Sequence, residues 1–288
     1  MENFRIIVEN VSKKFTRDYS RHETSLSRTL SFIFGSTHKV EFDALKNISF
    51  KLASGKNLGI IGKNGGGKST LLRIIAGIYK PDSGEVSVNG NMVYLAGFGQ
   101  GLKPKLTMRE NIYLVGSIMG LSQKEIDSRF EEIVEFSGLR EYIDTKVYQF
   151  SAGMMTRLNF SITTFCIVHK NPDILLIDEA IGGGADITFQ KKALDKMEEL
   201  IKGGASVILV SHSLDQIEKY CNEAIWLENG GIVMQGDSKK IVDAYVKTYS
   251  DDGSVKGYVE RKKKREMMKI GVENAKMEKI IAEKISGN

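Results

Sequence analysis

The sequence predicts an α/β fold in which strands alternate with helices around a single glycine-rich loop, with a mostly helical region inserted as a lobe. Three observations carry this. Residues 58–61 form a short apolar run leading into Gly62-Lys63-Asn64-Gly65-Gly66-Gly67-Lys68-Ser69, and helical periodicity follows over 69–76. A second apolar run, Ile174-Leu175-Leu176-Ile177, comes just after Pro172 and ends in two acids, which is how a central strand of a parallel sheet reads. Between the two, residues 108–168 keep a helical pattern over too long a span for a loop.

Taken in order, Ile6, Val8 and Val11 alternate with polar residues and predict a first strand. Residues 16–42 interrupt the pattern, with Leu26, Leu30, Ile33 and Phe34 at helical spacing and Gly35 closing the run. Ile48, Phe50 and Leu52 read as a second strand, and residues 58–61 as a buried third. The helix after the glycine loop is stopped by Gly77 and Pro81. Residues 85–95, EVSVNGNMVYL, predict a hairpin turning at Asn89-Gly90. In the helical region, Ser122-Gln123-Lys124-Glu125 reads as a capping box. After the strand at 174–177 come a helix (188–201), a strand (206–210), another helix and a second hairpin around Asn229-Gly230-Gly231. No internal repeat and no second glycine loop of this kind is found.

Composition narrows the setting. The chain has 288 residues, 41% of them hydrophobic, enough for a sizeable core. Cys166 and Cys221 lack His or Cys neighbours at metal-ligand spacing, so neither a structural zinc nor a disulfide framework is expected, and a reducing compartment is. The first residues show no basic-then-apolar signal pattern, and no apolar run approaches the ~20 residues that cross a bilayer. Membrane spans, if needed, must come from another chain. The net charge of +5 is uneven: residues 255–288 hold ten Lys/Arg against five acids, which leaves the rest neutral. That neutral body gives no electrostatic reason to expect nucleic acid.

The glycine loop carries the chemistry. G-x-x-x-x-G-K-S between a strand and a helix is a phosphate loop: glycines let successive N–H groups converge on phosphate, and the helix N-terminus adds its dipole. Lys68 is placed to reach the β- and γ-phosphates of a nucleotide, and Ser69 to hold Mg²⁺ through its hydroxyl. Asp178 and Glu179 end an apolar strand, where a carboxylate is costly unless a cation compensates it. Adjacent strand residues point opposite ways, so the two acids divide the work: Asp178 toward Mg²⁺, Glu179 toward an attacking water.

Gly62 through Thr70, Phe150-Ser151-Ala152-Gly153-Met154, Asp178-Glu179, Asp186 and His212 occur in the order found in ATP-binding cassette (ABC) ATPases, which the chain resembles over about residues 5–249. The resemblance implies a P-loop NTPase core (RecA-like) with an antiparallel β subdomain and an inserted α-helical subdomain at about 100–168. It implies ATP and Mg²⁺ as ligands and nucleotide contacts from Gly62, Lys63, Asn64, Gly65, Gly66, Gly67, Lys68, Ser69 and Thr70. Ser151, Ala152, Gly153 and Met154 look like the signature segment that meets the γ-phosphate bound to a second subunit, although Phe150, Ala152 and Met154 depart from the common Leu-Ser-Gly-Gly-Gln. Ser151 also reads as a plain helix N-cap. His212 resembles the switch histidine and Asp186 the acid of the inter-subunit loop. Phe15 fits either adenine stacking or a core role. Gln100 is displaced from the position near Gly97 and Phe98 where a Mg²⁺- or water-contacting glutamine is expected, and fits a solvated loop residue as well.

The Phe-Ser-Ala-Gly-Met segment, Asp186-Ile187-Thr188-Phe189-Gln190 and Leu106-Thr107-Met108-Arg109-Glu110-Asn111-Ile112 further resemble the ATPases of polysaccharide exporters, which move O-antigen, capsule or teichoic acid. This implies a homodimer working with two integral-membrane permease chains, peripheral on the cytoplasmic face of the cell (inner) membrane, with the polysaccharide or glycolipid carried by the permease. An ATPase of a lipid or drug exporter shares the mechanism. A soluble member acting on ribosomes or DNA fits less, since there is one phosphate loop and no sustained heptad pattern. Residues 1–250 make the ATPase domain. The helical 26–35 segment suits a contact near the membrane or an ordinary surface loop. The basic tail, 251–288, reads as an amphipathic helix against headgroups or a partner, or as a solvated tail.

Overall fold

The structure is a computed structural model and describes residues 3–18, 39–96, 101–178, 186–250, 255–265 and 267. In chain order the first half gives β1 (Phe4–Asp18), β2 (Lys39–Ala53), β3 (Asn57–Ile61), α1 (Lys68–Ile75), β4 (Ser83–Val88) and β5 (Met92–Ala96). The lobe follows as α2 (Met108–Ile118), α3 (Gln123–Ser137) and α4 (Ala152–Lys170). The chain then returns through β6 (Ile174–Asp178), α5 (Ile187–Lys202), β7 (Ser206–Val210), α6 (Leu214–Tyr220), β8 (Glu223–Glu228), β9 (Gly231–Asp237) and α7 (Ser238–Thr248). A further helix, α8, spans 255–265.

The strands sort into an antiparallel sheet, β2-β1-β4, and a six-stranded sheet, β5-β6-β7-β3-β8-β9, parallel except for β9 at its edge. Every residue of β6 and β7 is buried, which explains their unbroken apolar runs. Period-two alternation splits them between two cores. Ile174, Leu176, Ile208 and Val210 pack with Leu71, Leu72 and Ile75 of α1 and with Ile6, Val8 and Ile48 of the antiparallel sheet. Leu175, Ile177, Val207 and Leu209 face Met197 and Ile201 of α5 and Trp226 and Tyr245. Each buried Leu or Ile contributes ~1.5–3 kcal/mol, so the sheet that carries the site is held from both faces.

Two expectations change. The hairpin expected over 85–95 does not form: β4 pairs with β1, and β5 pairs in parallel with β6. Asn89-Gly90 instead carries the chain from one sheet to the other, with Asn89 N–H donating to Arg5 O (2.9 Å) and Asn91 N–H to Asp173 Oδ2 (2.9 Å). Apolar Val93 and Leu95 find more burial beside β6 than a two-stranded ribbon offers. The first two strands are also longer than expected, pairing as far as Asp18↔Lys39, so the interruption shrinks at both ends. Leu26, Leu30, Ile33, Phe34 and Gly35 lie outside the described residues. The second hairpin does form, β8 pairing antiparallel with β9 across Asn229-Gly230.

The lobe closes on its own core of Met108, Ile112, Ile126, Ile133, Leu158 and Ile162. Capping boxes open α2 at Thr107 and Glu110 and α3 at Ser122 and Glu125. The fully buried Asn111 amide donates to Leu106 O and Thr107 O and ties the entry loop down at Lys103. The 106–112 run therefore has a folding task of its own. Past α7, α8 lies on the body: Val255 and Tyr258 are buried, Arg261 and Arg265 pair with Asp215, and Lys262 reaches Asp243 (2.7 Å) and Glu218 (3.4 Å). The described part of the tail turns three of its cations onto the chain itself.

Candidate functional site

The site begins where β3 ends. At Gly62 the backbone turns at φ 145°, and a Cβ there would lie 1.9 Å from the Leu227 carbonyl oxygen on β8, so only glycine fits. Gly66 N–H donates to Lys63 O (3.1 Å) and Gly230 N–H to Gly66 O (3.2 Å), which backs the loop with the β8–β9 turn. Lys68 is 5% exposed; its ammonium donates to Gly62 O (2.8 Å) and Lys63 O (2.9 Å), inside the curl. Helix α1 starts after Gly67 (φ 102°) with no side-chain cap, so its first turn faces the loop with backbone N–H groups alone.

Ser69, one residue into α1, donates its hydroxyl to Asp178 Oδ1 (3.1 Å) at the end of β6. The other carboxylate oxygen, Oδ2, accepts from Tyr94 Oη on β5 (3.2 Å). Asp178 is buried, 8% exposed, and two hydroxyls hold it. Hard oxygens on a buried carboxylate and a serine suit Mg²⁺, which takes one or two carboxylates and completes its shell with phosphate and water. Among the described residues no group of three or more His, Cys, Asp or Glu is placed to hold a metal ion. Burial first, and then the neighbouring Asp178 carboxylate, push the Tyr94 phenol up to about 12, against the pull of Arg73; Tyr94 stays a neutral donor.

His212 is exposed in the turn between β7 and α6, and with Gly62, Lys63, Asn64, Leu214, Tyr245 and Val255 it lines a cavity of about 390 Å³. Ser151 is the N-cap of α4, accepting from Met154 N–H (3.2 Å); Ser151 and Ala152 are exposed, and Gly153 and Met154 half-buried. Asp186 caps α5, accepting from Phe189 N–H (2.9 Å), and pairs with Arg157 (3.5 Å). That backbone bond is the main reason its carboxyl lies below the usual range. Phe15 is half-buried, tilted on Phe42 (6.0 Å) and edge-on to Tyr79 (5.5 Å). The structure thus brings Lys68, Ser69 and Asp178 together with Gly62, and His212 lines the same cavity as the loop residues Gly62, Lys63 and Asn64. Glu179 and Gln100 lie outside the described residues. Both cysteines are buried thiols, raised by burial to about 11 (Cys166) and about 12 (Cys221).

Residues 45–182 match the family model described as "ABC transporter". An O-antigen export system ATP-binding protein, RfbB, of Klebsiella pneumoniae is 40% identical over 202 residues, 70% of this chain and 80% of that one. The chain belongs to the ABC transporter family. RfbB of Myxococcus xanthus is 38% identical over 83% of this chain and 55% of its own length. A teichoic acids export ATP-binding protein, TagH, of Bacillus anthracis is 40% identical over 84% of this chain and 42% of its own length. The chain therefore spans about half the length of some curated relatives it matches. In fold, this ABC chain is similar to an ATP-binding subunit of an ABC transporter (TM-score 0.62, 23% identity, 83% of this chain and 92% of that one). A dimeric ATP-binding cassette bound to ADP and phosphate gives a TM-score of 0.60 at 22% identity, covering 81% and 98%.

Within this ABC cassette the sequence left several residues unread. Arg157 donates to Ser137 O (2.8 Å) and Gly138 O (3.2 Å) and meets Asp186, joining α3, α4 and α5. Phe189, read as part of a family-like run, is buried edge-on against Phe136 (5.7 Å) and Phe160 (5.8 Å). In the sequence Tyr94 stands only as one residue of the strand over 92–96. Its one sequence signal is a polar-tipped aromatic on an otherwise apolar strand, whose hydroxyl usually takes a hydrogen-bond partner when it is buried. Among the described residues no helix is long and apolar enough to cross a membrane.

Proposed function

We propose that this chain is the ATP-hydrolysing subunit of an exporter of lipid-linked polysaccharide, working as a homodimer beside two permease chains at the cytoplasmic face of the membrane. The observation that carries the ATP reading is the junction of Lys68, Ser69 and Asp178 under the glycine loop. In this reading the loop and the first turn of α1 bind the phosphates, and the Lys68 ammonium exchanges its carbonyl partners for phosphate oxygens. Ser69 and Asp178 would hold Mg²⁺, which supplies charge neutralisation of the β- and γ-phosphates. Glu179 positions and deprotonates the attacking water, and His212 donates to the γ-phosphate. Ser151 and Gly153 of a second copy complete the shell, and Asp186 links the copies. Phe15 stacks on the adenine, with Gln100 a further contact to metal or water.

The export reading is supported by the similarity to the O-antigen and teichoic acid export proteins. Residues 1–250 act as the ATPase domain, 251–288 as a basic tail, and the 16–42 segment as a candidate contact for the permease. The test is genetic: a strain whose only copy carries Lys68→Ala is expected to lose its surface polysaccharide and accumulate the lipid-linked glycan inside. Unchanged surface polysaccharide would overturn the export role.

A further inference from the structure

We propose that Tyr94 is a positioning residue for the metal-binding carboxylate: by holding Asp178 Oδ2 it aims Oδ1, beside Ser69 Oγ, at the nucleotide-bound cation. The inference rests on the reading of Asp178 and Ser69 as the Mg²⁺ residues. Asp178 ends its strand, and the terminal torsion of an aspartate is broad and nearly two-fold, so nothing in its own backbone selects one oxygen for the cation. The neighbouring strand selects it. In the β5–β6 register Tyr94 lies opposite Leu176 and Ala96 opposite Asp178, so Tyr94 comes from one step back along β5 and on the face that Leu176 and Asp178 share. Its ring packs in the core between the sheets, and its hydroxyl meets Oδ2 at 3.2 Å while Ser69 Oγ meets Oδ1 at 3.1 Å. Each oxygen thus has one donor, from a different element.

The tyrosine is itself braced. Tyr94 and Tyr79 both pack against the core between the sheets, where Arg73 of α1 lies over the Tyr79 ring at 5.8 Å and Tyr79 meets Phe15 at 5.5 Å. Without the Tyr94 hydroxyl, Asp178 is free to turn Oδ2 toward Ser69 or away from it, and the cation loses a fixed ligand rather than a charge.

Tyr94→Phe keeps the packed ring and removes only the donor, so the melting temperature is expected to change little. In the full-length protein, ATP-analogue binding in EDTA is expected to match wild type, while the midpoint for Mg²⁺ in the nucleotide complex rises about tenfold or more, as losing a hydrogen bond to a charged group implies. The electron paramagnetic resonance line shape of Mn²⁺ in that complex is expected to broaden. A Mg²⁺ titration and a Mn²⁺ spectrum that superimpose on wild type would overturn the proposal. Asp178→Asn separates the two levels of the argument. If it leaves the Mg²⁺ midpoint in place, the metal reading fails and the inference with it. If it shifts the midpoint while Tyr94→Phe does not, the metal reading stands and Tyr94 only packs. In the double variant Tyr94→Phe is expected to add nothing.

Discussion

Helices α1 and α4 both follow a small residue, Gly67 and Ser151, but only the second of these N-termini is capped by its own side chain. At α1 the cap is Gly67 with no side-chain acceptor, the Lys68 ammonium lies buried in front of the turn, and Ser69 is already joined to Asp178. At α4 the cap is Ser151, whose hydroxyl satisfies Met154 N–H of its own helix, and Ser151 and Ala152 stand exposed. A helix N-terminus that leaves its amides to a loop of glycines is ready for phosphate; one that caps itself is stable without it. On the proposed function the difference assigns tasks: α1 binds nucleotide within one copy, and α4 serves the nucleotide of the other.

The largest break expected at α1 is Lys68→Ala. Two charge-assisted bonds to phosphate, at ~1.5–3 kcal/mol each, correspond to a loss of about 10²–10⁴ in ATP affinity, read by equilibrium binding; unaltered affinity would remove the α1 assignment. At α4, Gly153→Asp sharpens the contrast. A carboxylate in the first turn suits the helix dipole, so the helix keeps its stability, yet it repels phosphate. Binding is expected to persist while turnover falls by about 10²-fold or more, as for removal of one anion-stabilising donor. Ser151→Ala is milder, removing the cap at a cost of ~1 kcal/mol along with one phosphate donor. Smallest is Asp215→Asn, which releases Arg261 and Arg265 of α8. Surface pairs of this kind contribute ~0–1 kcal/mol, so a melting-temperature change of about 2–4 °C at most is expected in low salt and none in high salt. A larger, salt-independent drop would mean that these pairs hold α8 by more than screened surface attraction.

How far the sequence could be read depends on range. The helix after the glycine loop, the strand at 174–177 and the capping box at Ser122 are local patterns, and each appears where expected. The two Asn-Gly steps show the limit. At Asn229 the flanking strands pair and the turn is a hairpin; at Asn89 the same dipeptide joins two sheets, because β5 finds its partner in β6, some eighty residues on. Tyr94 was missed for the same reason: its role exists only across the strand register that brings it to Asp178. The tail's charge was legible, but its destination was not, since Asp215, Glu218 and Asp243 are gathered by the packing of α6 and α7.

The division of labour between α1 and α4 is tested most directly by mixing. Chains carrying Lys68→Ala and chains carrying Gly153→Asp are each expected to be nearly inactive alone. When they are mixed at concentrations that favour dimers, one complete site forms from the α1 end of the second and the α4 end of the first. ATP hydrolysis is expected to recover to a substantial fraction of wild type. A mixture no more active than its two components, or a Gly153→Asp chain with full activity alone, would contradict the shared site.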